Sequence, residues 1–432
     1  MLPSVIYKTG ESERLAISVL VGLDYKEDQP KEKRLELSLM FLTPQSGSSL
    51  EKNFALSTVS GQNVSECLNI IEGRIGKEIG LSHCQAIILS DSISRLGPIE
   101  FLDSFTRTND LTTNSLLICS DDPKALIEAH ISESAKVSIS LSNFLDYITT
   151  HLFTGNNNLE KFYAEYFDES GTTYIPYINA KKSSSENGGG ENGSNSSANE
   201  QNEDSPNSSS PNDSSQNLSS PDSNSESGSD ASQIDSKNQD SITGSQGKAE
   251  EEIFFDGVIG VFKRGKLAAK LDKNTTQLLN ILYSKEGKGL IQLNDIETQF
   301  SKKADLSIEI EDKRQNISYN FVNGYPVMKF DITLYCKLAE VNASNYTLDT
   351  VSVVNAQMSD IIKNAMLDEI KSEFSKAINF SKENNVDMFY VAKNFHRLCT
   401  KDWKAYKLEK SADDNLIDNV LFLLDLKIIE WT

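Results

Sequence analysis

Between residues 183 and 249 the chain carries about 22 Ser and 11 acidic side chains against two Lys, and its large apolar side chains there are Leu218, Ile234 and Ile242. A stretch so poor in apolar surface cannot offset the conformational entropy of ordering its backbone, so it reads as a disordered Ser/Asn/acidic insert. Any fold must therefore be built from 1–182 and 250–432. The tract also localises charge. Of the net −21 at pH 7, about −9 falls within it and about −12 on the rest. An excess of 63 acids over 42 bases argues against a nucleic-acid binder, which must neutralise phosphates with Lys and Arg. It argues equally against a polybasic grip on anionic lipid. At 432 residues, two or three domains are expected.

Ahead of the tract, Leu15, Ile17, Val19, Val21 and Leu23 alternate on one face, as do Leu35, Leu37, Leu39 and Phe41. Period two predicts half-buried strands, and the polar stretch 25–34 between them makes a hairpin. Asn63-Val-Ser-Glu66 reads as a capping box, with Val64, Cys67, Leu68, Ile71 and Ile75 at helical spacing until Gly80. Then come an apolar run at 86–89, a helix over 93–106, a run at 116–119 and a helix over 123–131, a pattern that predicts parallel βαβ units. A helix at 141–152 and a polar loop at 155–158 suggest a further small domain, with a split near 135.

Beyond the tract, 257–262 and 267–271 read as a hairpin turning at Gly265. A helix over 274–283 follows, then strands at 306–310, 317–321 and 327–341. A long helix over 353–380 carries an apolar stripe of Met358, Ile362, Met366, Ile370, Phe374 and Ala377. A strand at 420–429 closes the chain. The expected fold class is α+β, or mixed α/β, in several domains. A hairpin and βαβ units come first, and an antiparallel sheet packed on a long helix comes last.

The chemistry-bearing residues are sparse. His83 and Cys84 are adjacent, but neighbours on an extended segment point to opposite faces and cannot easily pair as base and nucleophile. His396 and Cys399 share a helical face, yet two ligands fall short of a zinc site, and His130 and His151 have no ligand-like neighbours. Cys67, Cys84, Cys119, Cys336 and Cys399 include no CxxC pair and form no disulfide framework, which leaves open a reducing compartment or an extracytoplasmic bacterial setting. Gly257-x-x-Gly260 and Gly287-x-Gly289 lack the Lys-Ser/Thr of a P-loop and the three-glycine dinucleotide fingerprint, so turn or strand glycines explain both. No catalytic, cofactor or metal site is expected. A binding or structural role outranks an enzyme. No run of 18 apolar residues is present, and 1–8 lack the basic and apolar regions of a signal peptide, so a soluble chain is expected.

Several segments in order resemble the Ger(x)C family, the C subunits of nutrient germinant receptors of spore-forming bacteria. The run LAISVLVGLD at 15–24 resembles that family's first strand, which ends in Gly-hydrophobic-Asp. The run LSHCQAIIL at 81–89, with the helix reaching Arg107, resembles its Ser-His strand and following helix. In the second half, GVIGVFK at 257–263 with Lys266 and Asp272 resembles the hairpin that opens its C-terminal domain. Asp387-Met-Phe, His396-Arg397 and Lys401-Asp-Trp403-Lys404 resemble the stretch before its last strand.

The resemblance implies a germinant-receptor C-subunit-like N-terminal region at 1–182 and a C-subunit-like C-terminal domain at 250–432, and it does not cover the disordered insert at 183–249. It implies three small mixed α/β domains and a non-catalytic subunit at the outer face of the spore inner membrane. There it would dock on integral-membrane A-type and B-type subunits and be required for germination signalling. Family members are lipoproteins whose lipidated Cys would fall around Val5 to Thr9, whereas no cysteine precedes Cys67. Lipidation is therefore not expected on these residues, and membrane association would come through partners or a missing upstream segment. The competing readings are an extracytoplasmic small-ligand-binding module and an unrecognised hydrolase.

Overall fold

The computed structural model describes residues 15–42, 54–107, 111–134, 157–182, 251–284, 288–296, 303–343, 359–409 and 415–431. The expected helix at 141–152, the 183–249 insert and the start of the long helix at 353–358 lie outside these residues.

The hairpin forms as the alternation predicts. β1 (Leu15–Tyr25) pairs antiparallel with β2 (Leu35–Leu42), and β2 with β3 (Phe54–Gly61). The even phase expected for β1 breaks at a register shift between Ser18 and Leu20. Ala16, Val21 and Leu23 pack into one core, whereas Val19 and Leu20 pack into another. A bulge inserts one unpaired residue and so moves later side chains to the opposite face. β1 is thus buried on both faces rather than half-buried.

Helix α1 (Val64–Ile75) begins at the expected cap: Asn63 Oδ1 accepts from the Glu66 amide, and Glu66 Oε2 accepts from the Gln62 amide. Past the short β4 (Glu78–Gly80), β5 (Ala86–Ser90) lies parallel to β1. Helices α2 (Asp91–Leu96) and α3 (Ile99–Arg107) then return the chain to β6 (Leu116–Ser120), parallel to β5. The resulting sheet runs β3-β2-β1-β5-β6. Helix α4 (Pro123–Ser134) covers the face opposite α1. It packs closely because residue 22 is glycine, where a Cβ would meet Ile127 Cδ1 and Pro123 Cβ at 3.1 Å.

Helix α5 (Leu159–Tyr166) leads into β7 (Thr172–Pro176), and β8 (Asn179–Lys182) follows. The second half resumes at β9 (Glu251–Phe254), antiparallel to β8, with Lys182 opposite Glu251. β10 (Ile259–Lys263) and β11 (Lys266–Leu271) form the expected hairpin. Arg264 and Gly265, both at positive φ, make its turn. β10 also pairs with β7, giving a sheet β11-β10-β7 that draws on both sides of the insert. The described residues before and after the insert cluster as one compact unit.

Helix α6 (Lys273–Tyr283) precedes β12 (Gly289–Ile296), β13 (Ala304–Val322) and β14 (Tyr325–Ala343). The two short strands expected at 306–310 and 317–321 are one continuous strand, which passes through register shifts at Ser307/Ile308 and Ile310/Asp312. Helix α7 (Asp360–Glu383) buries Ile362, Met366, Ile370, Phe374 and Ala377, the stripe read from the sequence. Helices α8 (Val391–Leu398) and α9 (Thr400–Leu408) then carry the chain to β15 (Leu421–Glu430). The sheet β12-β13-β14-β15 is antiparallel up to β14. β15 joins β14 in parallel, because a helical crossover rather than a tight turn returns the chain.

The β8–β9 ladder suggests a test of the insert. Its ends are paired strand residues, so a short turn can replace what lies between them. Deleting residues 185–248 is expected to leave the melting temperature within a few degrees, with any change upward, since each halving of a coil loop removes about 0.6 kcal/mol of closure entropy. A large drop on thermal unfolding would sink the reading of the tract as coil.

Candidate functional site

The histidines and cysteines singled out in the sequence do not assemble a reactive site. His83 is exposed, while Cys84 is buried with its thiol donating to Ala86 O at 3.4 Å. Burial pushes the Cys84 thiol up to about 12. Cys119 and Cys336 are pushed as high and Cys67 to about 11, in each case chiefly by burial. No thiolate nucleophile is prepared at any of them. His130 is buried beside Phe54, and burial drives it down to about 4. His151 lies outside the described residues. Among the described residues no group of three or more His, Cys, Asp or Glu could hold a metal ion.

The residues that carried the family resemblance are drawn into structural joints. Asp24 Oδ1 accepts from the Tyr25 amide at 2.8 Å and from Ser92 Oγ at 3.0 Å, tying the end of β1 to α2. Asp387 is buried, and its carboxylate accepts from the Val391 and Ala392 amides at 2.8 Å each, at the first turn of α8. Burial raises its carboxyl to about 6 even though those amides pull it down. Trp403, fully buried on α9, stacks between Phe395 and Tyr406 at centroid distances of 5.6 and 5.3 Å.

The sequence reading missed the acids that receive this helical pair. Glu169 Oε2 accepts from Trp403 Nε1 at 3.2 Å and from Lys407 Nζ at 3.1 Å, and Glu169 Oε1 lies 2.7 Å from His396 Nδ1. Asp168 pairs with Lys393 at 3.0 Å. Partial burial raises the Glu169 carboxyl, but the hydrogen bonds from Trp403, His396 and Lys407 outweigh it and leave the group below its ordinary value. His396 is therefore an anchor. Cys399 donates to Tyr319 O at 3.4 Å rather than sharing a ligand with it. The one available signal was that a buried indole N–H needs an acceptor. That signal names neither the partner nor its place 234 residues earlier.

A second joint ties the first half to β11. Asp91 accepts from Tyr177 OH at 3.0 Å and pairs with Arg95 at 2.7 Å and Lys270 at 2.9 Å. Lys270 also reaches Asp121 at 3.1 Å. Burial opposes ionisation of Asp91, but these three partners hold its carboxyl below the ordinary range.

Two surface features lie outside these joints. β15 ends the sheet, with Leu421, Leu423 and Ile429 exposed on its outer face and Trp431, 48% exposed, just beyond. Phe422, Leu424, Leu426 and Ile428 alternate toward the core. The other feature is a cavity of about 550 Å³ between α6, β12 and α7. Gly257 and Gly289 line it, so one residue from each glycine pattern meets there. Gly260 does not, and a Cβ on it would meet the Tyr177 ring at 2.9 Å.

Two family models match the chain. One, described as a spore germination protein N-terminal domain, matches residues 9–180. The other, described as spore germination B3/GerAC like, C-terminal, matches residues 258–412. No curated protein matches. A solved structure titled "Crystal Structure of the GerBC protein" is 14% identical over 95% of this chain and 96% of that chain, with a TM-score of 0.47.

Proposed function

We propose, from the premise that the chain belongs to the Ger(x)C family of spore germination proteins, that it is the non-catalytic C subunit of a nutrient germinant receptor. In this reading it docks on A-type and B-type integral-membrane subunits at the outer face of the spore inner membrane and is required for them to signal. Residues 1–182, dividing near 135, and 250–432 are its N-terminal and C-terminal regions, and 183–249 is an insert between them. No described helix is long and apolar enough to cross a membrane.

The observation that carries the docking reading is the outer surface of β15. Among the described residues this strand pairs only with β14, so along its ten residues the backbone N–H and C=O groups of every other residue point to an unpaired edge. An exposed apolar edge strand is a template for strand addition. Leu421, Leu423 and Ile429 flank that edge, and Lys329, 3.7 Å from Asp425, supplies a polar rim. The occupant is an extended segment of a membrane subunit exposed outside the bilayer.

The double variant Leu423→Lys, Ile429→Lys is expected to melt within about 2 °C of the parent, since both side chains are already solvated. It should no longer co-purify with the two membrane subunits. Undiminished co-purification would sink the docking surface. Parent dimers on light scattering that the variant lacks would replace the membrane occupant with a second copy.

A further inference from the structure

Two residues that line the cavity beside α6 each carry a buried side-chain oxygen without a hydrogen-bond partner among the described residues. Glu373, on α7, is 6% exposed, and its Oε1 pairs with Lys376 at 2.5 Å. Its Oε2 has no hydrogen-bond partner among the described residues. Thr276, on α6, is 2% exposed, and its Oγ1 is likewise unpartnered. Both residues line the cavity. A buried, unsatisfied polar atom is expensive, and a charged one more so, which makes the pair an acceptor site awaiting a donor.

The remaining lining sets the kind of donor. Leu278, Ile281, Ile291 and Ile370 give the cavity an apolar wall. Glu309, paired with Lys337 at 2.9 Å, and Glu369 add two further acids to Glu373, against Lys273 and Lys288. An anionic head would meet Glu373 directly, and a neutral hydroxyl would form only the weaker kind of hydrogen bond. A primary ammonium carries three N–H donors and a positive charge, so it can serve the carboxylate and the hydroxyl together with charge-assisted bonds. The volume lies within the range of small-molecule sites, about 300 to 1,000 Å³.

We propose that this cavity is a binding site for a small primary amine, with its ammonium held by Glu373 and Thr276 and its apolar body lying against the isoleucine wall. The site is separate from the β15 surface and does not depend on docking.

The test uses the full chain with n-pentylammonium chloride, n-pentanol and sodium valerate as probes, followed by calorimetric titration and thermal shift. Pentylammonium is expected to bind saturably and to raise the melting temperature with concentration. The alcohol and the carboxylate should bind at least about tenfold more weakly. Glu373→Gln should weaken pentylammonium binding at least about tenfold, and Thr276→Val by a smaller factor. Gly289→Leu provides a variant independent of the acid. A Cβ there makes only ordinary contact with Gln277 Nε2 at 3.6 Å, so the larger side chain fills the cavity and should abolish binding. The Leu423→Lys, Ile429→Lys variant should bind as the parent does, which separates this site from the docking surface. Absence of saturable pentylammonium binding, equal affinity for pentanol, or undiminished binding in both Glu373→Gln and Gly289→Leu would overturn the proposal.

Discussion

Replacing Trp403 with alanine is expected to destabilise the protein by about 3 to 5 kcal/mol, the range for truncating a buried aromatic side chain. The indole is 0% exposed, and it stacks on Phe395, which in turn meets Tyr319 and Phe321 of β13 at 5.4 Å each. Truncation therefore opens a void between the helical pair and the sheet. It also removes one of the two donors, Trp403 Nε1 and Lys407 Nζ, from which Glu169 Oε2 accepts. Trp403→Phe keeps one ring in the stack but loses the Nε1 hydrogen bond and part of the indole volume, so it should cost less than the alanine change, about 2 to 3 kcal/mol. Urea unfolding followed by far-UV circular dichroism measures both. An alanine variant with an unchanged midpoint would refute the role of Trp403 as the keystone of this joint.

Asp387→Ala should be the next most damaging change. It leaves the Val391 and Ala392 amides without their acceptor in a buried helix start, at about 1 to 3 kcal/mol for each unsatisfied donor. Asp387→Asn keeps an acceptor and removes the titration, which separates shape from charge. The folded-state value of about 6 lies above the ordinary carboxylate value of 3.8. The native state therefore takes up this proton more readily than the unfolded chain. Its contribution is fully present below about pH 4 and is lost as pH rises through about 6. Relative to the Asn variant, the parent should gain about 2 kcal/mol on going from pH 7 to pH 4. Denaturation midpoints whose difference does not change between those pH values would rule out Asp387 as the source.

Much of the fold is legible in local pattern because its elements answer to local physics. Leu35, Leu37 and Leu39 are buried as period two requires, and the Asn63 cap starts α1 where the capping box places it. What escapes reading depends on distant groups. Nothing near Thr173 announces that its strand will pair with Phe262 across the insert. The bulge after Ser18 moves Val19 and Val21 into different cores, although their spacing puts them on one face. β15 gave its alternation but not its parallel direction, which is set by the α8–α9 crossover. The site was less legible still. His396, Asp387 and Trp403 were visible as a motif, but Glu169, the group that explains two of them, shows no local pattern. Glu373 and Thr276 also pass as ordinary helix residues until α6 and α7 enclose them.

The pairing of β7 with β10 also bears on how fast the protein folds. Pro176 and Ile259 are partners in that ladder although 83 positions separate them in the sequence. Such a contact raises the contact order of the chain, and ladders of that kind form slowly because a diffusive search must close the loop first. The strands β1 to β6 and β12 to β14 draw on nearer contacts and can form while that search continues. The insert therefore acts on the rate of folding more than on the depth of the native state. In stopped-flow refolding, the variant lacking residues 185–248 should reach the native signal sooner, with its unfolding rate nearly unaltered.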